Sequence, residues 1–353
     1  MKEITYPSFY ELKEVLENLT NKSFNVAFGL ERGIIISRSN HANTASELAY
    51  LFYDKEDIDE IRNEAYRRNT NHTLSGFQIK SESSIELPSV FESIISTGNI
   101  EIGQSLSSLT EEYEGKTKIF TSMMEYRKRK IGRIEFLQEE TINFKFNFFQ
   151  IDQKTWQVEV DCVRSNDLGE IKKIFEKNLS RETDFEEIEL NSLTTEKTIN
   201  FFDSLANKFD ENWTFKDIKH LTLKRGSEND EDIIDVSSRE EDQESDNLSG
   251  ITQAILEGKN LRENSFVKNS VENGYKFTSM TYEFDHSTEP KTIQIKAEFK
   301  GRPKIFETSI INFMAKTGLG AESSELKINQ SQKRKYCSML WNAAKETYYE
   351  LLK

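Results

Sequence analysis

Phe120-Thr121-Ser122-Met123 recurs letter for letter as Phe277-Thr278-Ser279-Met280, 277 − 120 = 157 residues later. The flanks agree in character: Lys118-Ile119 leads into the first copy and Tyr126 follows it, while Tyr275-Lys276 leads into the second and Tyr282 follows. Apolar residues alternating with hydroxyl residues are how a half-buried strand presents one apolar face. Behind each copy lie further extended segments, so the repeat predicts an α+β fold. It consists of two antiparallel β-meanders, each packed with helices, with internal duplication as the expectation and an N-terminal α/β segment ahead of them.

Working outward, the first meander reads as strands over 116–126, 131–137, 142–149 and 156–163. A helix capped by Asp167 and Glu170 follows, then a helix from Thr195 and a strand over 213–223 half-buried through Phe215, Ile218 and Leu221. The second reads as helical turns at Ile251–Ile255 and Phe266–Val271, the latter ended by Gly274, and strands over 275–284, 292–299 and 304–311. Its last helix, Gln330 to Leu352, has Tyr336, Leu340, Ala343, Thr347 and Leu351 inside.

The amino-terminal segment opens on a Ser8/Glu11 capping box. A hairpin is expected next, from Phe24, Val26 and Phe28 through Glu31-Arg32-Gly33 to Ile34-Ile35-Ile36. A helix starting at the Thr44-Ala45-Ser46-Glu47 box should bury Leu48, Leu51 and Phe52, and a charged helix should bury Ile58, Ile61 and Ala65. Strand 77–80 and a helix after Pro88 complete it. The domains expected are therefore 1–110, 111–225, an acidic linker at 226–249, and 250–353.

Composition bounds the class. With 353 residues, 24 Phe and 12 Tyr there is core material for two or three domains, and 4 Pro with 15 Gly favour regular elements. A net charge of −14 repels nucleic acid and anionic membrane on average, leaving room for a local basic patch. Met1-Lys2-Glu3-Ile4 opens no apolar signal region, no apolar run is long enough to span a bilayer, and Cys162 and Cys337 stand far apart. The expectation is a cytoplasmic protein without membrane association.

Between Gly226 and Asn247 ten carboxylates face a single Arg239, which reads as a solvated connector. A DNA-mimicking arm is the sharper alternative, and EF-hand spacing is absent. His41, His72, His220 and His286 stand alone, so neither zinc nor a Cys–His nucleophile is expected, and no cofactor is expected. No phosphate-binding loop or nucleophile elbow is present, and Gly318-Leu319-Gly320 reads as a hinge.

Two constellations carry chemistry. Arg127-Lys128-Arg129-Lys130 with Arg133, beside Tyr126, would concentrate positive charge at a hairpin tip, with Tyr126 placed to stack on a base. The matching stretch of the second copy, Asp285 to Lys291, is not basic. Separately, Glu283 and Asp285 followed across a hairpin by Gln294-Ile295-Lys296 resembles, in outline, the hairpin signature of PD-(D/E)xK nucleases. That resemblance implies Mg²⁺ held by the carboxylates and charge stabilised by Lys296. Gln294 stands where the family usually has Asp or Glu.

The function expected is a non-catalytic binding or regulatory subunit for a macromolecular partner, nucleic acid at the basic tip or a protein, with a homo-oligomer as an alternative. The alternatives are the Mg²⁺-dependent nuclease and an accessory component of a bacterial defence or mobile-element system.

Overall fold

The computed structural model describes the chain apart from residues 1–5, 36–39, 68–72, 99, 115–116, 130–136, 138, 165, 181, 226–252, 302, 316–323 and 327. Four helices come first: α1 (Phe9–Asn18), α2 (Lys22–Glu31), α3 (His41–Ala49) and α4 (Lys55–Arg67). They close a core of their own around Leu12, Leu16, Phe28, Leu48, Tyr53 and Ile61. The Ser8/Glu11 capping box forms as expected, and α4 buries Ile58, Ile61 and Ala65.

The expected hairpin at Phe24–Ile36 is instead helix α2, with Ile36 outside the described residues. Asn21 caps it by accepting from the Phe24 amide, Phe24 and Phe28 stack at helical spacing with centroids 5.5 Å apart, and Gly33 takes φ 75° just beyond the end. Three alternating apolar residues satisfied both periods, and the cap decided between them. Helix α3 likewise begins a turn before the Thr44 box, on Asn40, and Phe52 is exposed rather than inside.

The rest of the chain builds one antiparallel sheet. Its strands are β1 (Thr73–Ser81), β2 (Gln104–Leu106), β3 (Thr110–Glu114), β4 (Thr117–Arg129), β5 (Glu139–Gln150), β6 (Thr155–Cys162), β7 (Thr183–Glu187), β8 (Trp213–Arg225), β9 (Gln253–Glu257), β10 (Tyr275–His286), β11 (Lys291–Lys300), β12 (Ile305–Ala315) and β13 (Ser324–Glu325). The order across it is β2-β4-β5-β6-β1-β12-β11-β10-β8-β9, with β3 on β4, β7 on β1 and β13 on β12. Helices α5 (Leu87–Thr97), α6 (Asp167–Asn178), α7 (Thr195–Lys208), α8 (Ser265–Glu272) and α9 (Gln330–Leu352) pack on it. The strand expected over 131–137 lies outside the described residues except for Leu137, which sits in the core of the α1–α4 unit. The helical turn expected at Ile251–Ile255 is strand β9 from Gln253, edge-paired to β8. Residues 73–97, grouped on sequence with the amino-terminal segment, supply the central strand β1 and helix α5 to the sheet.

The two meanders, β4-β5-β6 and β12-β11-β10, flank β1 and bury opposite faces. Phe77 and Ile79 of β1 join Phe146, Phe148, Val158 and Phe175 under α5 and α6. On the other face Leu74 joins Phe202, Tyr282, Ile295, Leu340 and Trp341 under α7 and α9. Gly76 lies on that second face, where the Trp341 ring packs so close that an added Cβ would stand 2.9 Å from it. Since β6 and β12 are both antiparallel to β1, a half-turn about an axis along β1 carries one meander onto the other and exchanges the faces.

The shared tetrapeptides do not occupy equivalent environments. Both lie in the first meander strand, but a bulge between Phe277 and Ser279 turns Met280 into the core with Phe277, at 0% exposure. The first copy has no such bulge, so Phe120 is buried while Met123 faces out at 51%. Topology alone relates the halves, and duplication is not established by it.

Candidate functional site

Four places could carry function, and the nuclease-like quartet is the simplest to follow. The β10–β11 register sets Glu283 opposite Gln294 and Asp285 opposite Thr292 on the sheet face that α7 and α9 leave open. Gln294 Nε2 donates to Glu283 Oε2 at 2.8 Å and Asn312 Nδ2 donates to Gln294 Oε1 at 2.9 Å. Lys216 Nζ lies 2.6 Å from Glu283 Oε1 and Lys219 Nζ 3.4 Å from Oε2. Burial alone would raise the Glu283 carboxyl, yet the hydrogen bonds from Lys216 and Gln294 and the charges of both lysines hold it below its ordinary range. Asp285 accepts from Thr292 at 2.8 Å, and Lys296 turns to Glu298 at 2.5 Å. The structure therefore brings Glu283, Asp285, Gln294 and Lys296 to one face, but Glu283 and Gln294 belong to a ladder of cross-strand pairs running from β12 to β8, Asp285 pairs with Thr292, and Lys296 pairs along its own strand with Glu298. Among the described residues no group of three or more His, Cys, Asp or Glu is placed to hold a metal ion.

The basic run is divided by the strand it belongs to. Tyr126 is buried, its ring against Phe144 and its hydroxyl donating to Asp167 Oδ1 at 2.6 Å, so the ring expected to stack on a base is part of the core. Alternation puts Lys128 on the face of Tyr126 and Arg127 on the other, exposed face, which it shares with Glu125, Met123 and Lys145. Arg129 ends β4 opposite Glu139, while Lys130 and Arg133 lie outside the described residues. Leu137, which follows that run, is buried among the α1–α4 helices.

A cleft of about 270 Å³ opens where β12 parts from β1 beyond the Leu74–Thr308 pair, lined by Asp161, Lys296, Glu298, Ser309, Lys333 and Arg334. Its floor continues into a buried polar seam. Residues Gln157, Glu159 and Asp161 alternate with the core residues of β6 and meet Arg334, Ser338, Asn342 and Lys345 on one stripe of α9. Arg334 Nη1 donates to Asp161 Oδ2 at 2.8 Å, Ser338 to Glu159 Oε1 at 2.9 Å, and Gln157 Nε2 to Asn342 Oδ1 at 2.9 Å. Lys345 donates to Gln157. Burial pushes the Glu159 and Asp161 carboxyls up despite Arg334, and pulls the Lys345 ammonium down despite Glu159. Arg334 is thus the clasp between α9 and β6.

The fourth place escaped the sequence reading. Six of the fourteen large hydrophobic side chains exposed among the described residues fall between Tyr6 and Phe52. Phe52 (94% exposed), Tyr10 (79%) and Tyr50 (72%) form a patch with Tyr6 and Phe9 on the α1–α3 side of the helical unit. Phe9 stacks on Tyr50 with centroids 4.3 Å apart, Tyr10 packs edge-on against Phe9 at 5.3 Å, and Tyr6 lies 6.4 Å from Phe52. The patch is held in place from below, since the Tyr53 amide donates to Tyr6 Oη at 2.8 Å. The available signal was surplus aromatic residues at helix positions off the apolar stripe: Tyr10 beside the Leu12-Val15-Leu16 face and Tyr50 just past the end of α3.

No protein-family model matches the chain, and no curated protein matches it.

Proposed function

We propose that this chain is a non-catalytic binding or regulatory protein that recognises a macromolecular partner. The observation that carries the reading is the exposed aromatic patch of Tyr10, Tyr50 and Phe52 on a helical unit with a closed core of its own. Large aromatic rings held ready at a surface are what protein interfaces concentrate, because they bury area at small entropic cost. Among the described residues no helix is long and apolar enough to cross a membrane. Two buried free thiols, Cys162 and Cys337, suit a reducing cytoplasm, where we place the protein. A role as accessory component of a defence or mobile-element assembly is compatible with a protein that acts by binding.

The test is affinity purification of the full chain beside a Tyr10→Ser/Tyr50→Ser/Phe52→Ser variant, with retained proteins and nucleic acid quantified. Material retained by the wild type and lost from the variant is the expected result. Identical retention by both chains refutes the reading.

Nucleic acid is a second reading, favoured by exposed Arg127 on the same open face as Lys145. Arg127→Glu should then weaken binding of single-stranded DNA or RNA at low salt and lower its salt slope by about one contact. An unchanged slope removes Arg127 from any such surface.

A further inference from the structure

We infer that the aromatic patch on α1 and α3 is a docking surface for a basic, amphipathic segment of a partner protein. This deepens the binding reading above, on which it rests, by supplying the partner's chemistry.

The rim of the patch is acidic. Glu14 stands one helical turn from Tyr10 and Glu47 one turn from Tyr50, both exposed, and among the described residues neither pairs with a cation. Asp54 and Glu56 follow Phe52 and are exposed too, with the exposed Lys55 between them. Over residues 6–67 the sequence carries 11 Asp and Glu against 7 Lys and Arg, a net of 7 − 11 = −4. Such a field repels nucleic acid and anionic lipid, and it sets like charge against like if two copies meet through this face. A cationic segment is attracted, and its apolar residues would cover the rings.

The same unit already shows what such a contact looks like inside itself. The Arg32 guanidinium lies 3.5 Å above the Phe28 ring and donates to Asp57 and to Glu60 Oε2 at 2.9 Å. On the outer surface the ring and carboxylate components recur as Tyr10 with Glu14 and Tyr50 with Glu47, with no cation on them among the described residues. Lys or Arg on the partner would complete each pair.

The experiment uses the full chain and a fluorescent peptide of about 18 Lys and Leu residues at amphipathic helical spacing. Its affinity is read by anisotropy at low and physiological salt. A shuffled peptide of equal composition, a Glu/Leu counterpart and a single-stranded DNA oligonucleotide are run beside it. The expected result is binding of the amphipathic Lys/Leu peptide about tenfold tighter than its shuffled control. Tyr50→Ser/Phe52→Ser should weaken that binding about tenfold and Glu14→Lys/Glu47→Lys several-fold, with unchanged melting temperature.

Failure to bind the Lys/Leu peptide, or equal binding of the shuffled one, overturns the inference. If the Glu/Leu peptide or the DNA binds instead and loses affinity in the aromatic variant, the basic partner is wrong while the binding reading stands. If the wild type is a dimer that the aromatic variant dissolves, a second copy occupies the patch and the inference falls. If no probe distinguishes the aromatic variant from wild type, the inference and the binding reading fall together.

Discussion

Gly76→Ala should be among the most damaging small substitutions in this protein. Gly76 lies in the central strand, with β6 on one edge and Trp341 of α9 over its face. A Cβ there would stand 2.4 Å from the Val158 carbonyl oxygen and 2.9 Å and 3.2 Å from two ring atoms of Trp341. The ring can tilt by a few tenths of an ångström, but the carbonyl belongs to a paired backbone, so β1 and β6 must separate. Overpacking of this kind costs about 3 kcal/mol, the upper part of its usual range. At about 2 °C per kcal/mol for a chain of this size, the melting temperature should fall by about 6 °C.

A double-mutant cycle in thermal or urea unfolding separates the two clashes. Trp341→Ala empties the ring site at a cost of about 3 to 5 kcal/mol. In that background Gly76→Ala should cost about 1 kcal/mol less than in the wild type, the remainder belonging to the carbonyl. A Gly76→Ala chain melting within about 1 °C of wild type would refute the packing argument at the seam.

Four further outcomes follow from what is buried and what is not. Arg334→Ala leaves Asp161 and Glu159 without their cation and should cost about 3 kcal/mol in urea unfolding, where a surface arginine would cost almost nothing. Because burial holds the Glu159 carboxyl above its ordinary value, the folded chain binds that proton more tightly than the unfolded chain does. The stability owed to this group is therefore greatest below the ordinary carboxylate range and falls as pH rises through the raised value. Glu159→Gln should gain on wild type as pH rises, and stability curves that stay parallel between acid and neutral pH count against this. Both cysteines are buried, burial pushing the Cys337 thiol up to about 12 and Cys162 well above its ordinary value. An aromatic disulfide reagent should find no reactive thiol in the native chain and both after unfolding. Mild peroxide should oxidise Met123 and spare Met280, as peptide mass spectrometry would show, since the bulge at Thr278 puts only the second in the core.

The sheet was legible in the sequence because strand and helix periods differ and the meander strands carry the first unmistakably. Strands β10, β11 and β12 lie close to where alternation places them, and helix α9 runs over the Gln330–Leu352 span that its apolar stripe marks. What stayed illegible was anything set by pairing over long separations. Residues 77–80 read as a short strand near the amino terminus, and nothing local says that the strand, which runs from Thr73 to Ser81, bridges two meanders lying roughly 80 and 230 residues away. The polar stripe of α9 misled in the same way: Lys333-Arg334-Lys335 is basic in sequence, yet Arg334 points at carboxylates on β6. The nuclease-like quartet was legible as a constellation but not as a ladder, because Lys216 and Lys219 reach Glu283 from a strand some 65 residues earlier.

The exchange of faces across β1 explains why function is better sought outside the sheet. Each meander spends one face on its own helices. The opposite face of the second meander is crossed by the Lys216–Glu283–Gln294–Asn312 ladder, and that of the first is clasped at β6 by α9. Along the ladder and at the β6–α9 clasp the polar groups are paired internally, so a ligand would have to break those pairs to bind there, at a cost its own contacts must offset. The helical unit differs. Its core is complete with Phe28, Leu48 and Ile61, and its outer rings stack on one another while remaining exposed. Binding there removes apolar area from water without dismantling any pair, and the acidic rim sorts partners by charge before contact. Leu137, from the connection between β4 and β5, packs into the core of this unit beneath those rings' helices.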